Sequence, residues 1–249
     1  MAFPEVVPRD IWLDARKALL EDEKALTHAR DELAVKRRML PMVRVETRYL
    51  FTGPDGPVDL EQLFDGREQL VVQHFMFDPS WEEGCPGCTA GVDELSAGIL
   101  EHLYARRTSF ALVSRAPWPK LEAYRIKRGW EVPWFSSEGS TFNYDFSVTV
   151  DESVSPMDVN YRSRPELEGR PNLLWTTQAQ QPFEMSGYSC FLRLDGEIFH
   201  TYSVYGRGTE DLGGAYAFLD WTALGRQEEW QEPKDRVAEA FPSNPFFQS

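Results

Sequence analysis

Hydrophobic positions change their period several times along the chain, and each change marks an element. Between Pro8 and Pro41 there is neither proline nor glycine. Ile11, Ala15, Ala18, Leu19, Ala25, Leu26, Ala29 and Leu33 recur there at spacings of mostly three or four, with charged residues between them and a gap at Asp22. Asp10 offers a cap, and Pro41 forbids continuation past Leu40. The spacing predicts an amphipathic helix over 9–40, an N-terminal arm occupying 1–42. About thirty residues at 1.5 Å each span roughly 45 Å. Such an arm either packs across its own domain or pairs with a second copy in a homodimer.

From Val43 the period shortens to two. Val43, Val45, Thr47, Tyr49 and Phe51 alternate with polar residues as in a half-buried strand. The turn Gly53-Pro54-Asp55-Gly56-Pro57 leads to a second short strand from Val58. Leu60, Leu63 and Phe64 predict a short helix ended near Gly66. The run Leu70-Val71-Val72-Gln73-His74-Phe75-Met76-Phe77 reads as a strand buried on both faces. After Asp78-Pro79, Val92, Leu95, Ile99, Leu100 and Leu103 stand at helical spacing. Ser109–Ser114 is another strand, residues 119–128 a helix ended by Gly129, and Val132–Phe135 a short strand. This β-α-β-α-β alternation is that of an α/β fold with a parallel core.

Residues 136–188 are polar, proline-bearing and weakly periodic, and read as an irregular insertion with a strand at 146–150. Ser189–Leu194, the turn Asp195-Gly196 and Glu197–Tyr202 form a β-hairpin. A last helix is expected over 209–219. The domain so delimited runs over 43–225, and a polar tail follows over 226–249.

Composition narrows the functional classes. Lys and Arg number 26 against 40 Asp and Glu, a formal charge of −14. That balance disfavours nucleic acid or an anionic membrane as a partner. Hydrophobic residues at 42% place the chain among globular proteins. Its apolar runs are too short and too often interrupted to span a bilayer. The start MAFPEVVPRD lacks the apolar segment of a secretory signal, so a cytoplasmic location is expected. Three cysteines cannot build a disulfide scaffold.

Two of the three stand together as Cys85-Pro86-Gly87-Cys88. A zinc site needs four ligands. Only Cys190 and four histidines remain, none at paired metal spacing. His28 and His102 fall in helical stretches, while His74 and His200 fall in strands, where a hydrogen-bonded structural role is expected. No metal and no cofactor is therefore anticipated. Redox chemistry fits the context better. The pair follows a buried strand and opens a helix, which puts Cys85 at the helix N-terminus. Free amide N–H groups and the helix dipole stabilise a thiolate there. Cys88, one turn later, can resolve a mixed disulfide. Pro86 suits the first helical turn because its missing N–H costs nothing.

Several neighbours could shape the site. Trp81 precedes the pair together with Glu82 and Glu83, two carboxylates that would oppose a thiolate unless they face solvent. Arg115, after the strand beside the cysteine helix, could supply a compensating positive charge. Trp118, Trp130 and Trp134 either wall a pocket over the sulfurs or pack in the core. Cys190 is a small buried apolar group or a third redox thiol. No Ser-His-Asp triad or phosphate loop occurs, and Gly206-Arg207-Gly208 and Gly213-Gly214 are turn chemistry.

A strand, C-x-x-C, helix, strand and later hairpin resemble the thioredoxin fold, and the strand–turn–strand at 43–58 resembles the N-terminal addition of peroxiredoxin-like members. Over residues 9–226 the chain resembles the thioredoxin-like family DUF899, described as dithiol-disulfide oxidoreductases. The motifs that carry this are Glu23-Lys24-Ala25-Leu26, Arg30-Asp31-Glu32-Leu33, His74-Phe75-Met76-Phe77, Gly84-Cys85-Pro86-Gly87-Cys88 and Ser114-Arg115-Ala116-Pro117. Gly129-Trp130, Pro133-Trp134 with Ser136-Ser137, Phe142-Asn143-Tyr144-Asp145, Phe199-His200-Thr201-Tyr202-Ser203 and Arg207-Gly208 complete them.

The resemblance implies a central mixed sheet flanked by helices, extended by the long N-terminal helix, the strand–turn–strand and the insertion before the hairpin. It implies Cys85 as nucleophile and Cys88 as resolving thiol acting on a thiol or disulfide substrate, protein or small molecule. Trp81, Pro86, Arg115, Trp134, Ser189 and Cys190 are the pocket candidates. Counting back from the hairpin turn puts Ser189 where thioredoxins keep a proline facing the pair. The peroxiredoxin pattern P-x-x-x-T/S-x-x-C, started at Pro79, meets Glu83 and Pro86 instead of a hydroxyl residue and cysteine, which disfavours a peroxidase of that type. The competing reading is a binding protein of the same fold with an aromatic-lined small-molecule cleft.

Overall fold

The computed structural model describes residues 4–212, 214, 228–232, 234, 239 and 240. The chain divides into two compact units, a larger one that includes Met42–Gly214 and a smaller one that includes Met1–Pro41. In the smaller unit, helix α1 spans Arg9–Arg38 and buries none of its side chains. Lys36, Arg37 and Arg38 in its last turn suit the negative end of the helix dipole.

The larger unit is built on an eight-stranded mixed sheet. Its strands are β1 (Val43–Arg44), β2 (Leu50–Gly53), β3 (Gly56–Asp59), β4 (Gln69–His74), β5 (Thr108–Ser114) and β6 (Trp134–Ser136), then, past the separate pair β7 (Thr149–Val150) and β8 (Phe183–Glu184), β9 (Gly187–Leu194) and β10 (Glu197–Tyr205). Their spatial order is β1-β10-β9-β4-β5-β6-β2-β3. β4, β5 and β6 are parallel, whereas β9 runs antiparallel to β4, and β10 to β9. A parallel β-α-β core joined to an antiparallel hairpin on the β4 side is the thioredoxin-like arrangement. The connections across the parallel strands carry α2 (Pro86–Asp93), α3 (Ile99–Tyr104) and α4 (Trp118–Arg128). The insertion carries the short helices α5 (Phe142–Asp145), α6 (Arg164–Glu168) and α7 (Leu174–Gln178).

Most elements follow the sequence pattern. Asp195 and Gly196 both take positive φ, 53° and 80°, which closes the tight hairpin between β9 and β10. Gly129 caps α4 in the left-handed region. Four segments differ. The strand expected over 43–51 is split, because Val43–Arg44 pairs with β10 at one edge of the sheet while Leu50–Gly53 pairs with β6 and β3 near the other. The apolar spacing through Leu103 belongs to two helices, interrupted where Ser96 and Gly98 favour a turn. Gln62–Phe64 forms a single 3₁₀ turn. Gly206–Leu212 is likewise 3₁₀, and apart from Gly214 the rest of the helix expected over 209–219 lies outside the described residues, as does most of the tail.

Each face of the sheet supports its own apolar cluster. Leu70 and Val72 of β4 point into one with Phe64, Phe142, Phe146 and Phe191. Val71 points to the other, with Phe75, Phe77, Cys88, Leu112, Tyr124 and Trp134. This second face carries the cysteine helix.

Candidate active site

β4 stops at His74, and the chain loops out and returns so that the Cys85 N–H donates to the Met76 carbonyl at 3.0 Å. The return is possible because residue 84 is glycine. A Cβ there would lie 2.5 Å from Phe75 Cε1 and 2.8 Å from Cζ, closer than carbon atoms pack. Pro86 then opens α2, with Cys85 in the N-cap position and its carbonyl accepting from the Thr89 N–H at 2.9 Å. The helical turn separates two environments. Cys85 is half-buried, Pro86 and Gly87 are exposed, and Cys88 is 7% exposed within the apolar cluster.

Both sulfurs are free thiols. The Cys88 S–H donates to the Cys85 sulfur, and the backbone N–H groups of Cys88 and Gly87 add to it. Against the opposing effect of burial, these lower the Cys85 pKa from 9.0 to about 6. The same contact and deeper burial push the Cys88 thiol up. The two sulfurs are thus shifted in opposite directions, Cys85 toward the thiolate and Cys88 toward the thiol. Glu82 and Glu83 both face solvent, and Glu83 pairs with Lys127.

The other candidate residues are distributed unequally around this pair. Pro86 sits at the surface between the sulfurs. Trp81 is half-buried and packs on the same cluster as Cys85; its carbonyl accepts from Lys120 Nζ at 2.7 Å. Cys190 is half-buried opposite Val71, so it shares the cysteine face, and burial raises its thiol pKa. Trp134 is not a pocket wall. It is 1% exposed, its Nε1–H donates to Ser114 Oγ at 3.0 Å, and Phe75, Phe77, Tyr124 and Trp130 pack around its ring. Its β6 position, paired with Leu112, puts it inside the sheet's second cluster.

Ser189 also leaves the site. It lies within β9 opposite Val72, on the face away from the cysteines, where it is fully buried. Counting back from the hairpin misplaces it because β9 extends two residues further, to Gly187. Its hydroxyl joins a buried polar chain instead: His74 Nε2 to Ser189 Oγ, Ser189 Oγ to Ser203 Oγ, and Ser203 Oγ to His200 Nε2, each at 2.7 Å. Both histidines thus have the structural role their strand positions suggest. Arg115 does not act as a counter-charge for Cys85, because its guanidinium is held by Asp78 and Glu184.

Two residues of the site escaped the sequence reading. Tyr188 on β9 packs in the Cys88 cluster, and burial raises its phenol pKa. Gln73, its partner across β4, is buried with Oε1 lacking any hydrogen-bond partner and Nε2 near Gly91 of α2. Gln73 had a visible signal as a polar residue within the apolar run 70–77; Tyr188 had none. Among the described residues, no group of three or more His, Cys, Asp or Glu gathers as a metal site, and no helix is long and apolar enough to cross a membrane.

The profile of a family described as bacterial protein of unknown function, DUF899, matches residues 1–240. No curated protein matches the chain. Among solved structures, the chain is similar to peroxidoxin BcpB from Mycobacterium tuberculosis, with 15% identity and a TM-score of 0.43 over 67% of this chain and 86% of that one. PrxQ of Xylella fastidiosa gives 12% and 0.42 over 70% and 91%. A protein described as a putative protein disulfide isomerase from Bacteroides thetaiotaomicron gives 14% and 0.37 over 70% and 86%.

Proposed function

The chain belongs to the DUF899 family, and we propose that it is a thiol-disulfide oxidoreductase working through Cys85 and Cys88. One observation carries this reading: a half-exposed sulfur with a lowered pKa at a helix N-cap, one turn from a buried sulfur with a raised one. The exposed thiolate is the form that attacks a disulfide, and the protonated partner is kept for the second step.

In the first step Cys85 Sγ attacks one sulfur of a substrate disulfide, forming a mixed disulfide and releasing a thiolate. Cys88 then gives up its proton, which the second leaving sulfur takes, and attacks Cys85 Sγ. The substrate leaves two electrons richer, as one thiol and one thiolate that takes its proton from water, and the enzyme holds a Cys85–Cys88 disulfide. An external thiol returns it to the reduced state. Such a cycle suits the cytoplasm, where a thiol pool keeps cysteines reduced.

The test is trapping. A Cys88→Ser variant should accumulate a mixed disulfide at Cys85 when mixed with a small aromatic disulfide, and Cys85→Ser should not. Equal trapping by both, or by neither, would reject the assignment. Of the three tryptophans that the competing aromatic-cleft reading would use as walls, Trp134 is buried in the core, while Trp118 and Trp130 are half-buried on the cysteine side.

A further inference from the structure

Arg115 stands just past the end of β5, between two segments that are far apart in sequence. Its Nε donates to Glu184 Oε1 at 2.7 Å, and its Nη2 also reaches Asp78. The Arg115, Glu184 and Asp78 side chains are 17%, 2% and 14% exposed, so a buried carboxylate and two half-buried partners form an ionic triad largely withdrawn from solvent. Asp78 opens the loop that returns to Cys85. Glu184 ends β8, just before β9 carries Tyr188 against the Cys88 cluster.

Both carboxylates are held from their other sides as well. Asp78 Oδ1 accepts from the N–H and Oγ of Ser80 at 2.8 and 2.6 Å, and Glu184 Oε2 accepts from Thr149 Oγ1 at 2.9 Å. Lys120 Nζ fixes the same loop at the Pro79 and Trp81 carbonyls, and Gly84 seats it against Phe75. Among these contacts, the Arg115 guanidinium alone grips the loop and β8 together. Burying three charges returns little net stability over an apolar packing of the same shape. What the triad does supply is a fixed spacing, because a planar guanidinium bridging two carboxylates tolerates little displacement.

We propose that Arg115 is a positioning residue of the dithiol site. By bridging Asp78 and Glu184 it sets the Cys85 loop against the β8–β9 segment that backs Cys88, and so the line along which Cys88 reaches the Cys85 sulfur. This rests on the oxidoreductase reading. The first attack needs only the exposed thiolate at the helix N-cap; the resolving attack needs both sulfurs aligned. Losing the bridge therefore slows resolution selectively.

The probe is 5,5′-dithiobis(2-nitrobenzoate). Attack by Cys85 releases one coloured thiolate, and attack by Cys88 on the mixed disulfide releases the second. In Arg115→Met the first phase stays within about twofold of wild type, while the second slows about tenfold or more, the scale on which small misplacements affect a reaction. Arg115→Lys, able to hold only one carboxylate well, lies between. Glu184→Gln, isosteric and uncharged, repeats the selective loss and decides the matter if Arg115→Met does not fold. Equal rates in both phases, or both phases slowed alike in a folded variant, overturn the proposal. A wild-type chain releasing fewer than two thiolates from its 85–88 pair would instead overturn the oxidoreductase reading beneath it.

Discussion

Cys85 and Cys88 share one turn of helix α2 yet have opposite acid–base character. The Cys88 S–H donates to the Cys85 sulfur, lowering one pKa and raising the other. A half-buried sulfur shifted toward the thiolate beside a buried thiol is what a two-step disulfide exchange requires.

The lowered pKa can be read directly. Alkylation of Cys85 by iodoacetamide should rise with pH to a plateau with a midpoint of about 6. Cys88→Ala removes the largest stabilising contact and should move that midpoint upward. A wild-type midpoint near 9, unchanged in the variant, would contradict the geometry.

Gly84→Ala should shift the cysteine loop, because the added methyl meets the Phe75 ring. A loss of about 1–3 kcal/mol in unfolding free energy is expected, as for other overpacked positions. Alkylation of Cys85 should slow with it. Gly87→Ala, with only the Cys85 sulfur near its Cβ position at 3.9 Å, should leave stability within about 1 kcal/mol.

Acid should destabilise the fold through His74. Burial, reinforced by the positive charge of His200, lowers its pKa from 6.5 to about 3. Between these values the unfolded chain binds a proton that the native chain refuses, so stability is full above pH 6.5 and falls as pH drops. Denaturant titrations should find the slope reduced in His74→Gln by about 1.4 kcal/mol per pH unit in that window. An unchanged slope would remove the buried neutral histidine from the account.

Trp134→Ala should cost about 3–5 kcal/mol of stability, as for large aromatic deletions in a core. Trp81→Ala, half-buried beside the pair, should act on substrate KM with a smaller loss of stability. The reverse result would restore Trp134 as a pocket residue.

The arrangement of the cysteine helix was legible from sequence because its signals are local. A buried apolar strand, a proline after the first cysteine and helical spacing beyond it are read within twenty-odd residues. The hairpin was equally legible, from alternation around Asp195-Gly196. Its start was not, since nothing local marks Gly187, and that slip moved Ser189 to the wrong face. Arg115 was visible as a charge near the site but not as a bridge, because its partners lie 37 and 69 residues away. Tryptophan patterning likewise could not tell a wall from a core, which depends on what packs from other elements. Local periodicity reveals the element; tertiary contacts decide which way a side chain's chemistry is used.

The most direct test of the central claim is peptide mapping of the native protein after equilibration in glutathione buffers of rising oxidised fraction. A reversible Cys85–Cys88 disulfide should form with the loss of two hydrogens, while Cys190 stays a free thiol. If the pair remains reduced across that range, or oxidation joins other cysteines instead, the dithiol mechanism is contradicted.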